Sequence, residues 1–306
     1  MLITLAADRD GVAAAHEQIR PYIRRTPTIL LDGITAKLEL CQHAGSFKTR
    51  GAFANMLMRD VPPAGVVAAT GGNHGASVSY AARAVGRVAK IFAPAYSSPA
   101  KLQRIRDYGG NLTLVPGLPE AFAAQDAWAA ETGAITVHSF DQLETMLGAG
   151  TVALEFEEQA PGLDTVLVPV GGAGFIAGVG AWYQGSVRVI GVEPELSPTL
   201  YNALAAGRPV ETQTGVGIAA DATSPPRVGE LAFPVARQWV ERVVLVTDAA
   251  IRQAQEHLWS HARIVAEPAG ACTMAAILSG VYTPAPDERV GIIISGGNTV
   301  AVDFTR

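Results

Sequence analysis

Short runs rich in valine and isoleucine recur along this chain, and amphipathic stretches with a helical pattern separate them. The predicted strands are Gly65–Ala69, Val88–Ala93, Asn111–Val115, Thr165–Val170, Val187–Val192 and Val290–Ile294. The predicted helices are Phe47–Asp60, Gly75–Val85, Pro99–Tyr108, Glu120–Glu131, Gly148–Gln159 and Phe175–Tyr183. Because parallel strands need crossover connections, usually helices, this alternation predicts βαβ units and a doubly wound α/β architecture.

The composition of the 306-residue chain fits a globular protein with one large or two ordinary domains. Hydrophobic residues make up 49% of the chain and charged residues 17%, which argues against intrinsic disorder. The net charge of −5 lacks the basic excess that nucleic-acid binding needs, so no nucleic-acid partner is expected. Cys41 and Cys272 are isolated and lack CxxC spacing, which predicts a protein of the reducing cytoplasm.

One uncharged, mostly apolar stretch, Thr165 to Tyr183, has the length of a membrane helix. It contains Pro169 and five glycines, which would interrupt such a helix in its middle. A buried strand, a turn and a helix explain the stretch better. The first eight residues lack the basic region of a secretory signal, so neither a membrane segment nor an export signal is predicted.

The segment Gly172-Ala-Gly174-Phe-Ile-Ala177 follows a predicted strand, opens a predicted helix and fits the GxGxxG/A pattern of dinucleotide sites. Glu193 ends the next predicted strand, where a ribose-binding acid belongs. Glycines and a helix N-terminus suit any phosphate, however, because they offer backbone amides and partial positive charge. A nicotinamide or flavin site, another phosphate ligand and an ordinary tight turn therefore all stay open.

Three other segments lie next to predicted strand ends or helix starts: Gly45–Gly51, Ala69–Gly75 and Ile294–Asn298. Lys48, at a helix start between glycines, is either a solvated surface lysine or a catalytic amine. Asn73 either caps a helix or contacts a ligand, and the exposed amides around it suit a carboxylate. Ser295 either caps a turn or meets a ligand. Ser46 is expected to cap the helix that begins at Phe47.

Five segments occur in the order found in serine and threonine dehydratases: Gly45–Gly51, Ala69–Gly75, Val168–Gly174, Glu267–Gly270 and Ser295–Asn298. The chain resembles this family, the fold type II pyridoxal-phosphate enzymes, over nearly its whole length. The resemblance implies α/β architecture with two doubly wound parallel-sheet domains and the cofactor in the cleft between them. Residues 1–60 and 144–306 would form the large cofactor-binding domain, and residues 61–143 the small domain on the substrate side.

The resemblance also implies roles for individual residues. Lys48 would carry pyridoxal 5′-phosphate as a Schiff base, with Phe47 packed beside the ring. Asn73 would donate to the 3′-oxygen of the cofactor, and Ser295 would face its pyridine nitrogen. The cofactor phosphate would bind the amides of Gly171, Gly172, Ala173 and Gly174. The substrate carboxylate would bind the segment formed by Thr70, Gly71, Gly72, Asn73 and His74.

The activity implied by the resemblance is dehydration and deamination of L-threonine or L-serine to a 2-oxo acid and ammonia. A dehydratase of another β-hydroxyamino acid, such as 3-hydroxyaspartate, is the nearest alternative; an oxidoreductase and a non-catalytic binding protein are more distant ones. The Ser295 hydroxyl is too weak an acid to protonate a pyridine nitrogen, which favours elimination over transamination. The resemblance further implies a homodimer with a small amino-acid substrate.

A divalent-ion site present in some members of the family is not expected here. Glu193 matches one ligand of that site, but Thr199 stands where those members carry a second acid. Hard cations need several oxygen ligands, and loss of a carboxylate weakens such a site. We therefore predict no metal site and no obligatory divalent ion.

We predict that the protein forms little or no D-serine from L-serine. Racemases of this family carry a serine at the position of Gly71, and glycine has no side chain that could exchange a proton. The test is a parallel measurement of D-serine and pyruvate released by the purified protein. Comparable rates of the two products would contradict the prediction.

Overall fold

The computed structural model describes residues 6–213 and 215–300 as an α/β structure with two sheets. The strands of the described residues are β1 Thr28–Leu31, β2 Ile34–Leu38, β3 Val66–Ala69, β4 Ala89–Pro94, β5 Asn111–Val115, β6 Ile135–Thr136, β7 Thr165–Pro169, β8 Arg188–Pro194, β9 Val240–Val246 and β10 Val290–Ile294. The α-helices are α1 Arg9–Ile19, α2 Lys48–Met58, α3 Asn73–Ala84, α4 Pro99–Asp107, α5 Leu118–Thr132, α6 Leu143–Gln159, α7 Gly174–Tyr183, α8 Thr199–Ala206, α9 Ala220–Thr223, α10 Ala232–Trp239, α11 Asp248–Ala262 and α12 Pro268–Leu278.

The larger sheet has the strand order β1-β2-β10-β7-β8-β9. All of its neighbouring strands are parallel except the β1–β2 hairpin at one edge. Residues of β7 and β10 are buried throughout, because helices cover both faces of the sheet. One face packs against α6, α7 and α10, and the other packs against α11 and α12.

The smaller sheet has the strand order β5-β4-β3-β6, and all of its strands are parallel. Every one of these strands lies between residues 66 and 136. The domain division after residues 60 and 143 stays a prediction. No helix of the described segments is both long and apolar enough to cross a bilayer.

The predicted strands and helices are confirmed as elements; β5 and β10 have the predicted bounds, and the other elements have shifted ends. The largest shift is in α6, which begins at Leu143 rather than at Gly148. Gly148 lies inside this helix. A side chain is excluded there, because a Cβ at this position would lie 2.6 Å from the Arg50 carbonyl oxygen of α2. Close helix packing, rather than a break in the helix, explains this glycine. The prediction that Ser46 caps α2 is wrong: Phe47 is the N-cap residue, and no side-chain cap bond forms.

A buried cluster of charged side chains fixes α2 against its neighbours. The Arg50 guanidinium donates two hydrogen bonds of 2.8 Å to Glu39 and two more of 2.8 Å to Glu155. Lys37 of β2 donates to the same Glu155 carboxylate at 2.8 Å. The two cations hold the pKa of Glu155 at about 2, because they outweigh the effect of burial. The cluster therefore ties α2 to α6 and to the segment after β2.

We predict that Arg50→Met destabilises the protein by about 3 to 5 kcal/mol, because it leaves two buried carboxylates with one cation. The matched control is Arg25→Met, which removes an ion pair to Glu158 whose side chains are 51% and 56% exposed. That exposed pair contributes less than about 1 kcal/mol. Denaturant unfolding of both variants measures the difference, and equal unfolding midpoints would refute the role of the cluster.

Candidate active site

The segments singled out in the sequence meet where the carboxyl ends of the two sheets face each other. The Phe47 amide donates to the Ser295 carbonyl oxygen at 3.1 Å, which joins the start of α2 to the end of β10. The Phe47 ring stacks on Phe175 of α7 with a centroid distance of 3.9 Å. The Asn73 side chain donates to the Glu267 carboxylate at 2.6 Å, which joins the start of α3 to the start of α12. Residues far apart in sequence thus form one site.

Lys48 is the first residue of α2, and its amine points into this site. Its Nζ atom donates to the Ser139 carbonyl oxygen at 2.5 Å and lies 5.2 Å from the centre of the Phe47 ring. Burial lowers the pKa of Lys48 to about 8, and the nearby Glu267 carboxylate opposes this shift. A larger fraction of the amine is therefore neutral near pH 8 than for an exposed lysine, and only the neutral form is nucleophilic.

The glycine-rich turn between β7 and α7 leaves a helix N-terminus without a side-chain cap. Ala173 is the N-cap residue and has a left-handed backbone with φ of 70°, although it carries a Cβ. A Cβ on Gly172 would overlap the ring of Phe140, and one on Gly174 would overlap the Phe140 carbonyl oxygen. The close approach of Phe140 therefore requires glycine at both positions. The start of α7, which has no side-chain cap, offers amides at the positive end of the helix dipole, and these suit a phosphate.

The loop after β3 leads into α3 and also ends at an uncapped helix N-terminus. Gly72 is the N-cap residue, without a side-chain cap bond, and its amide donates to Thr70 Oγ1 at 3.3 Å. His74 is buried, and its Nε2 atom lies 2.9 Å from the Val137 carbonyl oxygen. Burial lowers the pKa of His74 to about 3, so the ring is neutral and Nε2 is the donor. The loop can bind a carboxylate through amides, whereas the His74 ring supports the fold.

Asn73 belongs to a buried network that the sequence indicated only as motifs. Its Oδ1 atom accepts from Asn298 Nδ2 at 2.9 Å, while its Nδ2 atom donates to Glu267 Oε1. An amide nitrogen carries two hydrogens, so Asn73 keeps one for a ligand oxygen. Burial raises the pKa of Glu267 to about 7, and its Oε2 atom is buried without a hydrogen-bond partner in the described residues. The segment Glu267–Gly270 was the signal that could have identified this side chain.

Two cations of α4 also reach the site, and sequence reasoning missed them. Lys101 Nζ pairs with Asp221 and lies 3.9 Å from Glu267 Oε2. Arg104 donates to the Asn298 side-chain oxygen. Basic residues on a surface helix usually face solvent, so no local pattern distinguishes this pair. Only the tertiary structure, which brings Lys101 to Asp221 of α9 and to Glu267 before α12, places them at the site.

Ser295 follows β10 and is 5% exposed. Its carbonyl oxygen accepts from Phe47, and its hydroxyl has no recorded hydrogen-bond partner within residues 6–213 and 215–300. Ser46 Oγ, which lies beside this segment, is also buried without a partner there. The Ser295 hydroxyl is therefore available to bond with a ligand atom.

Glu193 is not available to bind a ribose. It is fully buried, and its carboxylate accepts from the amides of Leu200 at 2.8 Å and Tyr201 at 2.9 Å, at the start of α8. Burial raises its pKa to about 8 despite these hydrogen bonds. The dinucleotide interpretation therefore loses the acid that made it specific.

No cluster of three or more potential metal ligands occurs in the part of the chain that the structure describes, and the absence of a divalent ion stays a prediction.

The residues present fit pyridoxal phosphate. The site holds an amine with a lowered pKa at Lys48, an uncapped helix N-terminus at Gly174 and an unpaired hydroxyl at Ser295. The aldehyde of pyridoxal phosphate matches the amine, its phosphate matches the helix N-terminus, and its ring nitrogen matches the hydroxyl. The roles assigned to the individual residues remain proposals.

Comparisons with known proteins agree with this chemistry. The family model described as "Pyridoxal-phosphate dependent enzyme" matches residues 19–296. The chain is 34% identical to a phenylserine dehydratase of Ralstonia pickettii over 99% of this chain and 97% of the relative. It is 36% identical to an L-threonine ammonia-lyase of Thermotoga maritima over 94% of this chain and 75% of the relative. The structure of maize serine racemase superposes with a TM-score of 0.91 at 32% identity, covering 98% of this chain and 95% of the other.

We predict that the cofactor-free protein binds pyridoxal phosphate covalently faster as the pH rises through about 8. The pKa of Lys48 is lowered, so the fraction of neutral amine grows through that range rather than near pH 10.5. Stopped-flow absorbance at saturating aldehyde, from pH 6.5 to 9.5, gives the rate profile. Borohydride reduction and peptide mapping identify the attached residue. A profile that does not change over this range, or an adduct at another lysine, would contradict the assignment.

Proposed function

The chain belongs to the family of pyridoxal-phosphate-dependent enzymes, and on that premise we propose that it eliminates water from a small L-β-hydroxyamino acid. The products are a 2-oxo acid and ammonia, and L-threonine and L-serine are the proposed substrates. The observation that carries the proposal is the Lys48 amine, with a pKa lowered to about 8, beside an uncapped glycine-rich helix N-terminus. The dehydratases and ammonia-lyases among the similar proteins support the same reaction class.

Lys48 is the residue that we propose moves the proton. When bound, pyridoxal phosphate supplies an electron-withdrawing ring that acidifies the Cα–H bond of an attached amino acid. The neutral Nζ atom of Lys48 would accept that proton from the substrate. The Ser139 carbonyl oxygen orients Nζ through a 2.5 Å hydrogen bond. A buried amine with few competing partners is suited to this task.

The other groups of the site bind and orient. We propose that the amides at residues 171–174 hold the phosphate and that the amides of the Thr70–His74 loop hold the substrate carboxylate. Asn73 has one hydrogen left for the 3′-oxygen. The Ser295 hydroxyl would meet the ring nitrogen as a neutral partner. A neutral partner leaves the ring a weaker electron acceptor, which favours elimination of a β-leaving group over transamination.

The charges near the substrate loop do not by themselves select the substrate side chain. Lys101 pairs with Asp221, Arg104 donates to the neutral Asn298 side chain, and Glu267, whose pKa is raised to about 7, is only partly ionised near neutral pH. L-threonine and L-serine are the proposed substrates, and 3-hydroxyaspartate remains the alternative. A homodimer and a cytoplasmic location also remain predictions.

The experiment that tests the proposal is a substrate panel on the purified holoenzyme. L-threonine, L-serine, L-threo-phenylserine and the 3-hydroxyaspartate isomers are assayed for 2-oxo acid and ammonia release. We expect the largest kcat/KM with threonine or serine, and a loss of about 10³-fold or more in Lys48→Ala, since removal of a group that acts only in the transition state lowers kcat.

The control is Lys90→Gln, which changes another buried lysine, one that bonds Asn111 and Thr113 at the edge of the small sheet. It is expected to keep both cofactor and activity. Circular dichroism confirms that both variants fold. Absence of 2-oxo acid from every substrate of the panel, or full activity in folded Lys48→Ala, would overturn the proposed function.

A further inference from the structure

The space beside Gly71 that a side chain would fill is already occupied by a residue from another strand end. A Cβ built on Gly71 would overlap the Ser97 hydroxyl oxygen and would lie 2.6 Å from the Ser97 Cβ. Gly71 itself has no positive φ that would require glycine. The identity of residue 71 is therefore constrained by Ser97. Glycine at 71 removes a side chain from the loop, but a hydroxyl still stands in that space.

Ser97 and Lys48 flank the loop after β3 from opposite sides. In the small sheet β3 lies between β4 and β6. Ser97 follows β4, whereas Ser139, whose carbonyl oxygen accepts from Lys48 Nζ, follows β6. A ligand bound on the amides of this loop therefore has the lysine amine on one side and the Ser97 hydroxyl on the other.

The Ser97 hydroxyl is free to bind a ligand. Its backbone is fixed, because the Ser97 amide donates to the Pro94 carbonyl oxygen at 3.0 Å. The side chain is partly buried, and no hydrogen bond from Oγ to another residue of the described ranges is recorded. A fixed, partly buried hydroxyl without a protein partner is placed to bond with a ligand.

We propose that Ser97 is a further substrate-binding residue, whose hydroxyl donates to the carboxylate held at the start of α3. This inference rests on the proposed function, because the carboxylate is that of the amino-acid substrate. Hydrogen bonds to a carboxylate are stronger than those to neutral groups, and the adjacent uncapped amides draw the anion to this point. Ser97 binds rather than exchanging a proton, since a serine hydroxyl without a hydrogen-bonded base is a poor acid.

The first test compares Ser97→Ala with Ser98→Ala in the holoenzyme. Ser98 is the matched control because it is the next residue, is also partly buried, and makes no side-chain cap bond to α4. The probe is 3-hydroxypropionate, which carries the carboxylate and the β-hydroxyl but has no amine to bond with the cofactor. We expect its Kd to rise about tenfold in Ser97→Ala, as for loss of one hydrogen bond to a charged group, and to change less than about twofold in Ser98→Ala.

The same variants give a kinetic readout with the preferred substrate of the panel. A group that binds the carboxylate throughout the reaction lowers KM without raising kcat. Ser97→Ala is therefore expected to raise KM about tenfold while kcat changes less than about threefold. Unchanged Kd and KM in folded Ser97→Ala would refute the assignment, and so would a loss confined to kcat.

The second test moves the hydroxyl from one chain position to the other. Gly71→Ser alone forces the new side chain against Ser97, so it is expected to weaken 3-hydroxypropionate binding by more than about tenfold. Gly71→Ser combined with Ser97→Gly removes both the oxygen and the Cβ that overlap, and is expected to restore Kd to within about threefold of the parent. A double variant that binds no better than Gly71→Ser alone would count against the shared position.

Binding of the probe does not require turnover, which separates this inference from the proposed function. If the substrate panel yields no 2-oxo acid while the Ser97 variants shift Kd as expected, the function is wrong and the binding role stands. If the panel succeeds and Kd is unchanged in Ser97→Ala, the dehydratase proposal stands and the role of Ser97 is wrong.

Discussion

The position of α2 depends on one buried arginine. Arg50 binds Glu39 and Glu155 with paired hydrogen bonds, and none of the three side chains is more than 2% exposed. Buried charges of this kind tolerate little displacement, because each one that loses its partner is left in a medium of low dielectric. Lys48 precedes Arg50 by two residues on the same helix. The cluster thus fixes the start of α2, and with it Lys48, relative to β2 of the larger sheet and to α6.

Two of the helix N-termini without side-chain caps near that amine follow glycine-rich loops. One is the start of α3 after Gly72, and the other is the start of α7 after Ala173. Uncapped amides at the positive end of a helix dipole attract anions. A cofactor phosphate and a substrate carboxylate are the two anions that the proposed reaction must hold. The site can therefore bind them through backbone groups, which leaves the Lys48 side chain free for proton transfer.

The side chains that shape the substrate position come from strand ends that are adjacent only in the folded protein. Ser97 fills the space next to Gly71. Lys101 forms an ion pair with Asp221 and lies close to the Glu267 carboxylate. These pairs lie on different segments, so each depends on the order of strands in the small sheet and on the position of α4. The same fold can thus vary its substrate by changing a few such residues while the lysine and the phosphate site stay in place.

The sequence by itself determined the α/β class, because hydrophobic periodicity and glycine-rich turns are local properties of the chain. The order of the site segments and the candidate role of Lys48 came instead from the resemblance to a known family. Sequence reasoning did not assign the β1–β2 hairpin, β6, β9 or the helices α1, α8, α9, α10, α11 and α12. Only the tertiary structure decided that Glu193 caps α8 instead of facing a ribose and that Ser97 occupies the space beside Gly71. Both facts concern groups that are distant in sequence, and packing rather than periodicity brings such groups together.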